Sequence, residues 1–432
     1  MLIRVLPALL LSACLLPLPA AAKVIGTNVP AESVTPERIN SLPAGDRTAW
    51  AAYLKNSRAQ MQTDRAVLAA ELKPGETAPP PPKADPSQGG HMPLNRDPAW
   101  YATPEARAIA DTIVSFQTPA GGWSKNQNRA SGPRLRGQRY ANDAETMEVG
   151  AGNFDAPNDR FWTFVGTLDN NATTREMRFL ALVAAQATGK DGDAYRSSFI
   201  KGVRYLLTAQ YPNGGWPQVY PLEGGFHDAV TFNDNAVAEA AMLLADVADA
   251  KSPYGFVPAE LRAAARAAND HAVAVILAAQ VVVDGRKTIW PQQVDALTLA
   301  PTTARNYEPK SLASSESSDI LLFLMRQPNP SPEVKAAIRD GVAWLKAHEI
   351  FGVGWTSVPG GRRWAAQPGA GPLWSRNYDL RTGQPIFGDI DKSIHDDVNE
   401  LSMERRSGYS WYNDAAQKAL TAYETWSRNQ AN

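Results

Sequence analysis

Asp169 sits in Leu168-Asp169-Asn170-Asn171 and Asp234 in Asn233-Asp234-Asn235, each just ahead of an apolar helical run. Both stretches present carboxylate and amide oxygens on short side chains, the hard donors that Ca²⁺ takes. Either one alone reads equally well as a helix start, because Asp and Asn favour such positions. Two of them at successive helix starts, delivered to one end of the molecule, can close around a single cation between Asp169 and Asp234.

A second chemistry gathers in loops that hold more charge and aromatic surface than a connector needs. Arg305 and Lys310 lie in the Pro-bearing stretch Pro301 to Leu312, off any obvious solvated helix face; Arg376 and Arg381 follow Trp374. Lys125 follows Gly121-Gly122-Trp123, and Trp216 follows Gly214-Gly215. The planar fork of arginine suits carboxylates, and tryptophan faces suit sugar rings, so a cation with these side chains describes a groove for an acidic polysaccharide. The candidate contacts are Lys125, Asn170, Arg178, Trp216, Asn235, Lys310, Arg376 and Arg381. For any one arginine, an ion pair that fixes a loop is an equal reading, as is a helix stop for any one Gly-Gly-Trp.

The elements that must position these loops are mainly helical. Thr103-Pro104-Glu105 and Ser331-Pro332-Glu333 are helix starts with Pro at the first helical position, and Thr173 with Glu176 reads as a capping box behind the Asp169 loop. A helix running into a Gly-rich turn and a tryptophan recurs at Trp123, Trp216 and Trp355, and more loosely at Trp290. Such helical hairpins, each delivering a loop to the same end, predict a mainly α fold, an α/α toroid over residues 96–432 with a groove across that end.

Before it, residues 1–22 read as a signal peptide, with an apolar run after Arg4 and Ala20-Ala21-Ala22 as the cleavage site. Cys14, the only cysteine, would allow a lipoprotein anchor instead. Residues 23–72 form a helical accessory segment, and residues 73–95, with Pro79-Pro80-Pro81-Pro82, form a linker or wrapping arm. The 43 basic and 44 acidic residues balance, which gives nucleic acid no basic face. No His-Glu-x-x-His or Cys/His cluster points to zinc, and no nucleophile elbow, Walker loop or dinucleotide fingerprint is present. Nothing calls for a protein partner, so a monomer is expected.

Asp169-Asn170-Asn171-Ala172-Thr173-Thr174, Gly214-Gly215-Trp216-Pro217-Gln218, Phe232-Asn233-Asp234-Asn235, Trp290-Pro291-Gln292-Gln293 and Ala304-Arg305 to Leu312 together resemble the family-ten polysaccharide lyases, the pectate lyases. The similarity runs from about Trp100 to Trp426. It implies an α/α toroid and calcium-assisted β-elimination of polygalacturonate, with Asp169 and Asp234 as calcium ligands and Arg305 as catalytic base. Calcium and nearby cations would then have to lower the pKa of Arg305. The chain departs from the family at Asn171 and at Ile390, where a basic residue is expected, leaving Arg376 or Arg381 to replace it. Two other classes fit the same residues. One is a calcium-dependent binding protein without turnover, the other an inverting glycoside hydrolase with Asp169 and Asp234 as acid and base.

Overall fold

Prolines and hydroxyls set several helix starts where the sequence puts them. In the computed structural model, Thr103 Oγ1 accepts from Ala106 N and Ser331 Oγ from Val334 N, each with Pro at the first helical position. The structure describes residues 23–85, 87, 92–145, 152–156, 159–187 and 189–430. The proposed signal segment with Cys14, and part of the proline-rich stretch, lie outside them.

Eleven helices occur among the described residues: α1 Pro36–Asn40, α2 Ala44–Ala70, α3 Pro104–Ser115, α4 Thr174–Gln186, α5 Gly189–Ala209, α6 Ala236–Ala248, α7 Ala259–Ala279, α8 Ser314–Met325, α9 Pro332–Ala347, α10 Met403–Ser407 and α11 Ala415–Gln430. Strands are short, so the fold is mainly α. Hairpins α4/α5, α6/α7 and α8/α9 stand side by side, giving one row in which α4, α6, α8 and α11 touch in turn and a second of α5, α7 and α9. Between the rows lies one apolar core that includes Met177, Phe179, Phe199, Leu243, Leu244, Ile276 and Phe323.

A repeated device ties each helix to the loop that follows it. The indoles of Trp123, Trp216, Trp290 and Trp374 are fully buried and donate to the carbonyls of Ile113, Leu206, Ile276 and Leu345 in α3, α5, α7 and α9. A glutamine accompanies the first three. Gln117 donates to Gly121 O and Ser198 O, Gln210 to Gly214 O and Ala268 O, and Gln280 to Thr288 O and Ala337 O, so each amide joins its own loop to the next hairpin. The Gly-Gly-Trp echo is therefore structural, and Trp216 is a core staple rather than a sugar platform. Trp355 does not belong to the series. It lies on the hairpin Val353–Val358/Gly361–Ala366, opposite Trp364 and under Arg362.

Short bridges then stitch each loop to its neighbour: Thr167 to Val219, Pro217 to Val230, Val230 to Val294, Pro291 to Leu312, and Leu312 to Tyr378. The capping box expected at Thr173 gives way to this stitching. Thr173 has φ 65° and no cap bond; its buried hydroxyl donates to Thr167 O and accepts from Trp123 N, while Glu176 pairs with Arg129. A hydroxyl buried among three loops is better used joining them than capping one helix.

The segment before residue 96 packs onto the same core. Trp50 and Leu54 of α2 are buried, the Trp50 ring lies 4.9 Å from that of Tyr211, and Tyr53 donates to Ala209 O. Strand Val24–Thr27 pairs antiparallel with Ser393–His395, which pairs with Phe387–Gly388. The proline stretch wraps the Lys125 loop: Pro80 O accepts from Gln138, Pro82 O from Asp143 N, and Asp85 N donates to Asn126 O.

Candidate active site

The Asp169 and Asp234 turns are built alike. Each is a single 3-10 turn, Asp169–Asn171 before α4 and Asn233–Asn235 before α6, with left-handed backbone at Asn170 (φ 52°), Asn171 (φ 56°), Asp234 (φ 49°) and Asn235 (φ 63°). Asn and Asp bear that conformation best among residues with a side chain, and such backbone persists only where the surroundings impose it. Because α4 packs on α6, the two turns meet and their carboxyl groups face one another.

Their environments push the two carboxyl groups in opposite directions. Burial and the neighbouring Asp169 carboxylate push Asp234 well above the usual carboxylate range. Burial acts on Asp169 in the same sense, but Lys125, the Asp234 carboxyl and Arg305 outweigh it and hold Asp169 below that range. Lys125 Nζ lies 2.6 Å from Asp169 Oδ2 and sits over the Phe164 ring. Asp169 Oδ1 is buried with no hydrogen-bond donor. A buried carboxylate oxygen beside a second carboxyl is the donor chemistry that a hard cation takes. Among the described residues no group of three or more His, Cys, Asp or Glu gathers to hold a metal. Two carboxyl groups with the amide oxygen of Asn170 fit Ca²⁺ if water or ligand oxygens complete its shell, whereas the Asn233 amide oxygen is engaged by Arg376 and Gln292.

Arg305 enters the same cavity, of about 380 Å³, from the loop before α8. Its guanidinium donates to the Tyr307 hydroxyl at 3.0 Å, and its backbone N to Glu308 Oε2. Burial works to lower its pKa, but Glu308, Tyr307 and Asp169 outweigh it and hold the guanidinium well above the ordinary arginine range. The side chains around Arg305 thus oppose the depression expected from its role as a base.

Arg376, Arg405 and Tyr409 also line the cavity. Arg376 donates to Glu316 Oε1 at 2.6 Å and to Asn233 Oδ1 at 2.7 Å, and lies over the Tyr409 ring. Arg405 of α10 stacks on Tyr307 at 4.0 Å and on Tyr409 at 5.3 Å. Tyr409 donates to Glu308 Oε1, and its carbonyl accepts from Arg362 of the Trp355 hairpin. Gly388 presses on this floor, where a Cβ would lie 2.4 Å from Tyr307 O.

Of the residues singled out from sequence, Lys125, Asp169, Asn170, Asp234, Arg305 and Arg376 line this one cavity. The others do not. Trp216 is in the core. Arg178 pairs with Glu239 and Asp246. Asn235 turns to a separate groove beside Glu239 and Asp319, Arg381 to another beside Lys287 and His348, and Lys310 is exposed outside the cavity. Asn126, Asn233, Tyr307, Glu308, Arg405 and Tyr409 are lining residues that the sequence reading did not name as contacts. Three of them, Asn233, Tyr307 and Glu308, are within three positions of Asp234 or Arg305 and could have been found that way. Arg405 in α10 and Tyr409 just after it carry no such signal. Ile390 is exposed; of the two arginines expected to stand in for a basic residue there, Arg376 lines the cavity and Arg381 does not, and Arg405 lines it as well.

The sequence model for pectic acid lyase matches residues 117–420. The chain belongs to the pectic acid lyase family. Two solved structures of a family 10 polysaccharide lyase from Cellvibrio cellulosa resemble it with a TM-score of 0.64. One, an aspartate-to-alanine mutant in complex with trigalacturonic acid, is 31% identical over 77% of this chain and 97% of that chain; the other is 32% identical over 78% and 97%. No curated protein matches in a sequence search. This pectic acid lyase family member is a polysaccharide lyase, and a binding protein without turnover is set aside.

Proposed function

We propose that this chain is a secreted pectate lyase that cleaves polygalacturonate by calcium-assisted β-elimination, with Arg305 as the base. The observation that carries this reading is the convergence of Asp169, Asp234 and Arg305 from three separate loops on one polar cavity. The apolar run that ends at Ala22 supports export, and the two helix rows support an α/α toroid.

Arg305 takes the C5 proton of a galacturonate unit, the electron pair forms the C4–C5 double bond, and the C4 oxygen leaves with the departing chain. That proton is weakly acidic because its removal adds charge beside a carboxylate. Asp169 and Asp234 would hold a calcium ion, which would supply positive charge to offset the developing negative charge. Arg376 and Arg405 provide fixed cations in the same cavity, preorganised by Glu316 and by the faces of Tyr307 and Tyr409. Lys125 neutralises Asp169 in the absence of another cation. The hydrolase alternative is disfavoured by the meeting of the two carboxyl groups, since an inverting pair stands about 6.5–9.5 Å apart to admit water.

Ultraviolet absorbance during incubation with polygalacturonate tests the reading. The unsaturated product absorbs, the signal falls on chelation and returns with added calcium, and Arg305→Ala abolishes it. Reducing ends without absorbance would point to hydrolysis. Because Arg305 holds its proton tightly, the neutral base is scarce at neutral pH, and kcat/KM should rise about tenfold per pH unit toward alkaline pH. A flat profile removes Arg305 from the role.

A further inference from the structure

Asn28 lies outside the residues matched to the family, in the segment that follows strand Val24–Thr27. It is 5% exposed, and its amide nitrogen is within hydrogen-bond distance of three carbonyls of one loop: Arg305 O at 3.0 Å, Asn306 O at 3.1 Å and Glu308 O at 3.1 Å. Carbonyls of near neighbours converge on one donor only if the chain between them is tightly turned. Here Glu308 N closes on Arg305 O and Ala304 N on Glu308 O. Asn28 is itself held: its backbone N donates to Lys392 O at 2.8 Å, and Thr303 Oγ1 donates to Val29 O at 2.6 Å. On the far side of the turn, Asn306 N donates to Asp155 Oδ1 and Asn306 Nδ2 to Asn153 Oδ1. The backbone that carries Arg305 is therefore clamped between an N-terminal strap and the Asn153–Asp155 loop.

We propose that Asn28 is a positioning residue that sets the direction of Arg305, so that the N-terminal strap forms part of the active centre. This rests on the reading of Arg305 as the base. Loss of the amide leaves Asn306 O without its donor, and Arg305 O and Glu308 O keep only the bonds within the turn, so the turn loses its tie to the strap and relaxes. A displacement of about 1 Å at a reacting group costs about a hundredfold in rate.

The test uses the full chain with Asn28→Ala, Asn28→Ser and Arg305→Ala, each measured for thermal midpoint and for kcat and KM on polygalacturonate. The expected result is a kcat lower by about tenfold to a hundredfold in Asn28→Ala. The loss should be smaller in Asn28→Ser, which keeps one donor, with KM within about twofold and a melting midpoint close to that of the unaltered protein. Should Asn28→Ala fail to fold, Asn28→Ser carries the comparison. An unchanged kcat in the Asn28 variants beside an inactive Arg305→Ala overturns this proposal alone, and so does a fall in kcat that only tracks the loss of folded protein. An active Arg305→Ala overturns the base assignment and this proposal with it.

Discussion

Arg405 and Arg381 show what separates a cation in the active site from one beside it. Both are arginines in polar stretches near the C-terminus, but Arg405 is stacked on Tyr307 and Tyr409 inside the cavity, whereas Arg381 is exposed in another groove. Stacking holds the guanidinium in place before an anionic chain arrives, which lowers the ordering cost of binding. Arg405→Ala should therefore lower kcat/KM on polygalacturonate by about tenfold or more, the loss of one charge-assisted contact. Arg381→Ala and Lys310→Ala should stay within about twofold, at the level of surface charges. Steady-state kinetics on the three variants at one ionic strength decide it. Arg376 is less suited to that experiment, because its removal would strand Glu316, which is buried and paired with it.

At the level of elements, the site depends on devices that never touch it. Each tryptophan staple fixes the end of one helix to the start of the next loop, and each glutamine fixes that loop to the neighbouring hairpin. The bridges from Thr167 round to Tyr378 then bring the Asp169, Asp234 and Arg305 loops to one place. Trp216→Ala should cost about 3–5 kcal/mol of stability, as for other buried aromatics, and lower the amount of folded enzyme. KM of the fraction that remains folded should change little. Denaturant unfolding together with kinetics separates this from a sugar-binding role, which would raise KM and leave stability intact.

Across the whole molecule, the cavity is backed by buried titratable groups that couple stability to pH. Burial pushes Glu223 up to about 8, against donors at Phe164 and Val165, so the folded state keeps a proton that the unfolded chain releases near the ordinary glutamate value. Stability from this group is present at low pH and is lost as pH rises toward 8. His227 runs the other way. Burial and then Lys125 lower it to about 3, so the fold holds it neutral, and its contribution is lost as pH falls below the ordinary histidine value. Above about pH 6.5 the histidine is neutral in both states and adds no slope, so the Glu223 slope remains. From there to pH 8 the protein should lose up to about 2 kcal/mol relative to Glu223→Gln, measured as unfolding free energy at each pH. Equal slopes for the two proteins would mean that Glu223 is not the group responsible.

The amino-acid sequence by itself determined the local chemistry. Short Asx side chains at Asp169 and Asp234 bring hard oxygens and tolerate left-handed turns, and prolines behind Thr103 and Ser331 start helices, because such effects act over three or four residues. The mainly α fold and the family's motifs were legible for the same reason. What only the tertiary structure decided was direction. Whether Trp216 faced sugar or core, whether Thr173 capped a helix or joined loops, and which of Arg376, Arg381 and Arg405 faced the aspartates depended on which loop is stitched to which. Those contacts join residues far apart in the chain, and no local pattern encodes them. The N-terminal strap is the extreme case: Asn28 meets Arg305 across 277 positions, and its amide has meaning only once both ends are folded.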